Sequence, residues 1–182
     1  MDDLGESLLV IARNAIGASF GLPPRPFAET PELQRPGAVF ITLTQQGELR
    51  GCIGSLEAHR PLAEDVAANA RAAAFHDPRF KPLTRDELAR TRVEVSLLTP
   101  AEDLPCRDEA EALALLRPHV DGVIFSAGRH RATFLPQVWE QLPEPAAFLA
   151  QLKRKAGLPA AYWGPDVRLE RYAVKKWREA AP

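Results

Sequence analysis

Glu48-Leu49-Arg50-Gly51-Cys52-Ile53-Gly54-Ser55-Leu56 follows Ala38-Val39-Phe40-Ile41-Thr42-Leu43-Thr44 after only Gln45-Gln46-Gly47. Two strand-forming runs joined by so short a connector, with a glycine free to take positive φ, predict an antiparallel hairpin. Side chains alternate along a strand, which sets Arg50, Cys52 and Gly54 on one side and Leu49, Gly51 and Ile53 on the other. Gly51 and Gly54 give the strand no side chain to pack, so they mark a bulge, a bend or the close approach of another backbone or a ligand.

The flanking sequence supplies helices to cover this hairpin. Pro61 suits a first helical turn, Glu64 and Asp65 complement its positive end, and Leu62 to Phe75 is rich in alanine, which permits close packing on a sheet. Asp77-Pro78-Arg79-Phe80 breaks that helix, and Thr84 with Glu87 forms a capping box for the next. Arg92 to Thr99 alternates as a strand with one buried face. Upstream, Leu4, Leu8, Ala12, Ala15, Ile16 and Phe20 recur at helical intervals over Asp3 to Phe20. Five prolines between Pro23 and Gly37 forbid a helix or central strand running through that stretch.

Downstream, Asp108 to Leu116 reads as a helix, and Val120 to Ser126 with Arg131 to Leu135 as a second hairpin about Ala127-Gly128. Pro145 to Ala156 is a helix closed by Gly157, and a last strand covers Val167 to Val174. Helices interspersed with hairpins, rather than regular βαβ alternation, predict an α+β fold with a largely antiparallel sheet. A chain of 182 residues fits one domain or two tightly joined subdomains.

Composition narrows the function classes. Content of 46% hydrophobic and 26% charged residues is that of a folded globular protein. With 23 Lys+Arg against 24 Asp+Glu there is no long-range field toward phosphate backbones, and 7% aromatic residues offer no stacking platform, so nucleic acid is not a favoured partner. Lys153, Arg154 and Lys155 sit in the last turn of a helix, where cations complement the dipole. The N-terminus is acidic and no stretch approaches a membrane span, which predicts a cytoplasmic protein without membrane attachment. Cys52 and Cys106 are then expected as free thiols. His59, His76, His119 and His130 show no paired ligand spacing, so no metal and no cofactor is expected.

Chemistry concentrates on Cys52. A guanidinium on the same strand face favours thiolate, whereas burial opposes it. Two readings stand side by side: a nucleophilic or ligand-sensing thiol in a glycine-lined recess, and a small packed residue in a bulged strand. No Cys-His pair follows from the spacing of His59 or His76. Arg79, between Pro78 and Phe80, either binds an anion or pins a loop by bonding carbonyls.

Leu49-Arg50-Gly51-Cys52-Ile53-Gly54, followed in order by Asp77-Pro78-Arg79-Phe80, Val95-Ser96-Leu97-Leu98-Thr99, Thr133-Phe134-Leu135-Pro136, Arg154-Lys155-Ala156-Gly157 and Arg171-Tyr172, resembles the AMMECR-one domain family, protein A of the AmmeMemoRadiSam system. The resemblance spans most of the chain and implies one such domain over 1–182, with a larger and a smaller subdomain and a cleft between them near the signature. It implies no known reaction. It does imply association with a Memo-like protein and a radical S-adenosylmethionine (radical SAM) protein, and an unidentified small-molecule ligand. Its signature makes Arg50, Gly51, Cys52 and Gly54 the candidate site, with Cys52 as the catalytic candidate and Arg50, Gly51 and Gly54 as ligand-binding candidates, to which the residue reading above adds Arg79. Lys81, and Leu142-Pro143 after the Leu-Pro segment, depart from the family pattern in surface connections, which accept such changes most easily.

Overall fold

A computed structural model describes residues 2–180. In chain order its elements are α1 (Asp3–Ala18), α2 (Pro31–Gln34), β1 (Ala38–Gln45), β2 (Glu48–Gly54), α3 (Leu62–Phe75), β3 (Thr91–Leu98), β4 (Glu102–Asp103), α4 (Glu109–Leu115), β5 (Gly122–Ala127), β6 (His130–Phe134), α5 (Pro145–Lys155), β7 (Val167–Tyr172) and β8 (Val174–Arg178). Two 3-10 turns, Arg85–Arg90 and Pro136–Glu140, complete the set. The fold is α+β, and the strand pairs β1–β2, β1–β3, β4–β7, β5–β6 and β5–β7 are antiparallel.

The chain forms two compact units, the larger comprising residues up to Leu98 together with those from Lys175 on, the smaller Thr99–Val174. In the larger unit the strands run in the order β2-β1-β3-β8. The predicted hairpin is present, turning at Gln46 and Gly47 with φ of 51° and 89°. Val39, Ile41 and Leu43 of β1 and Val93 and Val95 of β3 point to one face and are fully buried under α1 and α3. Ala70, Ala73 and Ala74 bring α3 close to the strands, as an alanine-rich helix allows. Asp2 caps α1 by accepting from the Gly5 N–H at 2.8 Å. The helix stops at Ala18, two residues before the predicted end, and Phe20 leaves it to meet Phe75 edge-on. Inside the proline-rich stretch one helical turn, α2, forms with Pro31 in its first turn, where the missing N–H has no consequence.

The smaller unit holds the sheet β4-β7-β5-β6. Trp139 stacks on Phe148 with centroids 3.7 Å apart and donates from Nε1 to the Asp121 carbonyl at 2.7 Å. Lys153, fully buried, is paired with Glu109 at 2.7 Å and donates to the Tyr162 carbonyl at 3.1 Å. That contact accounts for one member of the Lys153–Lys155 cluster as a structural cation. The single last strand predicted over Val167 to Val174 is two, β7 and β8. They part at Ala173, whose N–H and carbonyl are taken by the Thr99 hydroxyl and N–H at 2.9 Å each.

Among the described residues no three His, Cys, Asp or Glu side chains converge as a metal ion requires. No helix among them is long and apolar enough to cross a membrane.

Candidate functional site

The signature lies on β2, an edge strand, whose outward N–H and C=O groups need partners or water. Cys52 finds both partners in one loop. Its N–H donates to Asp77 Oδ2 at 2.9 Å, and its carbonyl accepts from Arg79 Nη2 at 3.2 Å. Asp77 and Arg79 are themselves joined, Nη2 to Oδ2 at 2.7 Å and Nε to Oδ1 at 3.0 Å, and the Arg79 N–H donates to Oδ1 at 3.1 Å. The Asp77-Pro78-Arg79-Phe80 turn therefore stands in for a neighbouring strand, with one carboxylate and one guanidinium replacing a backbone pair. Arg79 holds the Asp77 carboxyl well below the usual carboxylate range, assisted by the Cys52 and Arg79 N–H groups and opposed by burial. Asp77 in return raises Arg79 further above its ordinary value.

The Cys52 side chain projects beside Thr42, its register partner on β1, on the face opposite the α1–α3 core. The thiol is half-buried, and its sulfur lies 3.4 Å from the Thr42 hydroxyl. That hydroxyl is its one hydrogen-bonding partner among the described residues.

Arg50 does not bond it. The register steps from Leu43↔Gly51 to Thr44↔Leu49, so Arg50 is the extra residue of a bulge, which the glycines had signalled. Its guanidinium grips Glu87 with two parallel bonds, Nε–Oε1 at 2.9 Å and Nη2–Oε2 at 3.0 Å, both side chains largely buried. Glu87 also accepts from the Thr84 N–H at 2.9 Å, closing the predicted capping box, and from Gln45 at 3.2 Å. The Arg50 pair lowers the Glu87 carboxyl to about 2, against the opposing effect of burial. The Phe80 ring neighbours both arginines, its centroid 6.0 Å from the Arg50 guanidinium carbon and 5.5 Å from that of Arg79. The buried Arg50 Nη1 has no hydrogen-bond partner among the described residues.

The glycines meet protein, not open space. A Cβ on Gly51 would stand 2.2 Å from the Ala73 carbonyl oxygen of α3, and one on Gly54 would stand 2.3 Å from the Phe40 ring and 2.6 Å from the Val39 carbonyl. Just beyond Gly54, fully buried Asp65 collects Ser55 Oγ at 2.7 Å, Arg60 Nε at 2.8 Å, and Asn69 Nδ2 and the Val39 N–H at 3.0 Å each. This fastens the end of the signature to α3.

The sequence-predicted site residues thus separate by role. Arg50, Gly51, Gly54 and Arg79 all have contacts within the fold, and Cys52 supplies the nucleophilic side chain of the five. His59 is exposed and bonded at 2.9 Å to the Glu57 carbonyl, and His76 caps α3; neither bonds the sulfur. Thr42, Asp65, Asp77 and Glu87 complete the surroundings without having been singled out as site residues. Only the Asp-Pro-Arg spacing, which puts an acid and a base two residues apart in a tight turn, and the capping box at Glu87 pointed toward them.

A family model for AMMECR1 matches residues 9–177. A protein of Methanothermobacter thermautotrophicus is 38% identical over 187 residues, covering 97% of this chain and 95% of its own. One of Aeropyrum pernix is 40% identical over 190 residues, covering 100% of this chain and 82% of its own. Protein LS215_2104 of Saccharolobus islandicus is 37% identical, covering 100% and 84%. Among solved structures, the uncharacterised protein PH0010 from Pyrococcus horikoshii superposes with a TM-score of 0.83 at 33% identity, over 100% of this chain and 94% of that one. With a family model matching residues 9–177 and relatives 37–40% identical over 97–100% of its length, the chain belongs to the AMMECR1 family.

Proposed function

We propose that this protein is a small enzyme or ligand-binding component of a modification pathway, acting beside a Memo-like protein and a radical SAM protein, and that Cys52 is its reactive group. The observation that supports the reading is the two-sided clamp on the Cys52 backbone by Asp77 and Arg79, combined with a half-buried cysteine whose thiol has a single hydrogen-bonding partner among the described residues, the Thr42 hydroxyl. A cysteine that only filled space would bury its sulfur among apolar groups. Here the backbone is fixed and the sulfur left to meet something else. On this reading Arg50, Gly51, Gly54 and Arg79 are positioning residues that shape the strand under the thiol. The family's association with Memo-like and radical SAM proteins supplies the pathway.

The test is alkylation of the native protein by iodoacetamide. Cys52 is expected to react without unfolding, and Cys52→Ala is expected to keep the melting temperature while losing the thermal shift produced by a metabolite that stabilises the parent. A thiol that reacts only after denaturation would sink the proposal.

The opposing reading, a noncatalytic interaction module with a structural signature, draws on the same geometry, because four of the five candidate residues are engaged within the fold. It predicts that Cys52→Ala binds every pathway partner with unchanged affinity.

A further inference from the structure

A recess opens on the larger unit, lined by none of the five candidate residues around Cys52. One stripe of α1, marked by Glu6, Val10, Arg13 and Gly17, forms its floor, and Leu22 and Pro23 form one wall. The 3-10 turn Arg85–Arg90 forms the other, through Arg85, Leu88 and Ala89. Its volume is about 920 Å³ and it is open to solvent. From Glu6 to Gly17 the trough runs roughly 17 Å along the helix.

The cations here are set apart by their partners. Arg13 is consumed, its guanidinium held by both carboxylate oxygens of Glu179 and by the Leu88 carbonyl at 3.0 Å, and Arg92 donates to the Glu179 carbonyl. Arg25 and Arg85 are exposed, and neither guanidinium has a hydrogen-bond or ion-pair partner among the described residues. Arg25 is nonetheless well placed, because Asn14 of α1 bonds its backbone in both directions, Nδ2 to the carbonyl at 2.8 Å and Oδ1 from the N–H at 2.9 Å. Leu22, at the rim, leaves 36% of its surface in water. The chain as a whole carries a formal charge of −1, yet four arginines line this recess against two glutamates, one of them neutralised by Arg13.

From this arrangement we infer that the trough docks an acidic amphipathic helix of a partner protein, its apolar stripe lying on Val10, Leu22 and Leu88 and its carboxylates reaching Arg25 and Arg85. A small molecule needs a pocket that encloses most of its surface. An open trough about three helical turns long, lined by Val10, Leu22 and Leu88 together with Arg25 and Arg85, instead fits a helix laid in a groove. The inference does not depend on the reactivity of Cys52. Glu87 of the same 3-10 turn serves Arg50, while Arg85, Leu88 and Ala89 serve the trough.

Recognition by shape and charge is generic, so a synthetic probe suffices. The probe is a fluorescent helix of about 16 residues with leucines on one face and flanking glutamates, compared with its lysine-flanked twin by anisotropy on the full chain. The glutamate probe should bind at least about tenfold more tightly, with an affinity that falls as salt rises. The doubly substituted Arg25→Glu, Arg85→Glu protein should reverse the order of the two probes at an unchanged melting temperature. Failure of the glutamate probe to bind at low salt, equal binding of both probes, or binding indifferent to the double substitution would overturn the proposal. So would a concentration-dependent dimer that Arg85→Glu dissolves, which gives the trough to a second copy, or retention by anionic phosphatidylserine vesicles without retention of the probe, which gives it to a lipid surface.

Discussion

Gly51 shows how little room the signature leaves. Any side chain there would press on the Ala73 carbonyl at 2.2 Å, and a backbone oxygen inside a packed helix cannot step aside as a flexible side chain would. Gly51→Ala should therefore destabilise the larger unit by about 2–4 kcal/mol in urea denaturation, as overpacking does at its severe end. Ala at exposed Gly47 is a poor control because of its positive φ, and Ala at Glu48 is the better one. Glu87 carries a pH signature. Its carboxyl titrates near about 2 in the folded protein and near its ordinary 4.5 when unfolded, so the stabilisation it gives with Arg50 is complete above 4.5 and is lost as pH falls toward 2. Glu87→Gln should flatten the decline of stability over that window, measured as the urea midpoint against pH, and Arg50→Met should do the same. At this scale the sequence was only partly legible. Alternation of side chains put Arg50 with Cys52, but alternation holds only where the register is continuous; the glycines signalled a bulge among other possibilities, and which residue it displaces depends on contacts with α3 and the Glu87 turn that lie outside the local pattern.

Among the elements, the edge strand β2 and the turn that covers it are the informative pair. Asp77, 4% exposed, is the acceptor for the Cys52 N–H, and Asp77→Ala would leave that donor and the Arg79 guanidinium without their partner. The expected cost is about 1–3 kcal/mol, with amide hydrogen exchange at Cys52 accelerated well beyond that at its β1-paired neighbours. Asp77→Asn, which can still accept one bond, should cost less. The long elements were readable because their periods were sustained: α1, α3, α5 and both hairpins lie within a few residues of where apolar spacing and turn glycines place them. The short ones were not. α2 is a single turn, β4 is two residues, and the break between β7 and β8 turns on the Thr99 hydroxyl taking the Ala173 N–H, a contact between residues far apart in sequence. Arg79 bonding a carbonyl was one of its two sequence readings and is what the structure shows, but the part of Asp77 in the substitute strand was hidden, since Asp-Pro-Arg reads locally as a helix breaker.

In the molecule as a whole, the two cysteines fall in different units, Cys52 in the larger and Cys106 in the smaller, and both are free. Burial, aided by Glu111 and Asp108, pushes the Cys106 thiol up, which slows its reaction with alkylating agents at neutral pH. Two thiols per chain should be titrated by Ellman's reagent in denaturant without reductant, and Cys106 should be the slower of the two under native conditions. The larger unit is also interrupted in sequence. The chain leaves it at Leu98 and returns at Lys175, where Trp177 packs on Gly5 and Glu179 takes the Arg13 guanidinium and the Val93 N–H. During synthesis, then, the first ninety-odd residues emerge from the ribosome unable to finish folding. The outer edge of β3 stays unpaired and the groove on α1 around Gly5 stays empty until the final strand is translated, so a nascent chain stalled anywhere within Thr99–Val174 is a substrate for chaperones and proteases that the finished protein is not.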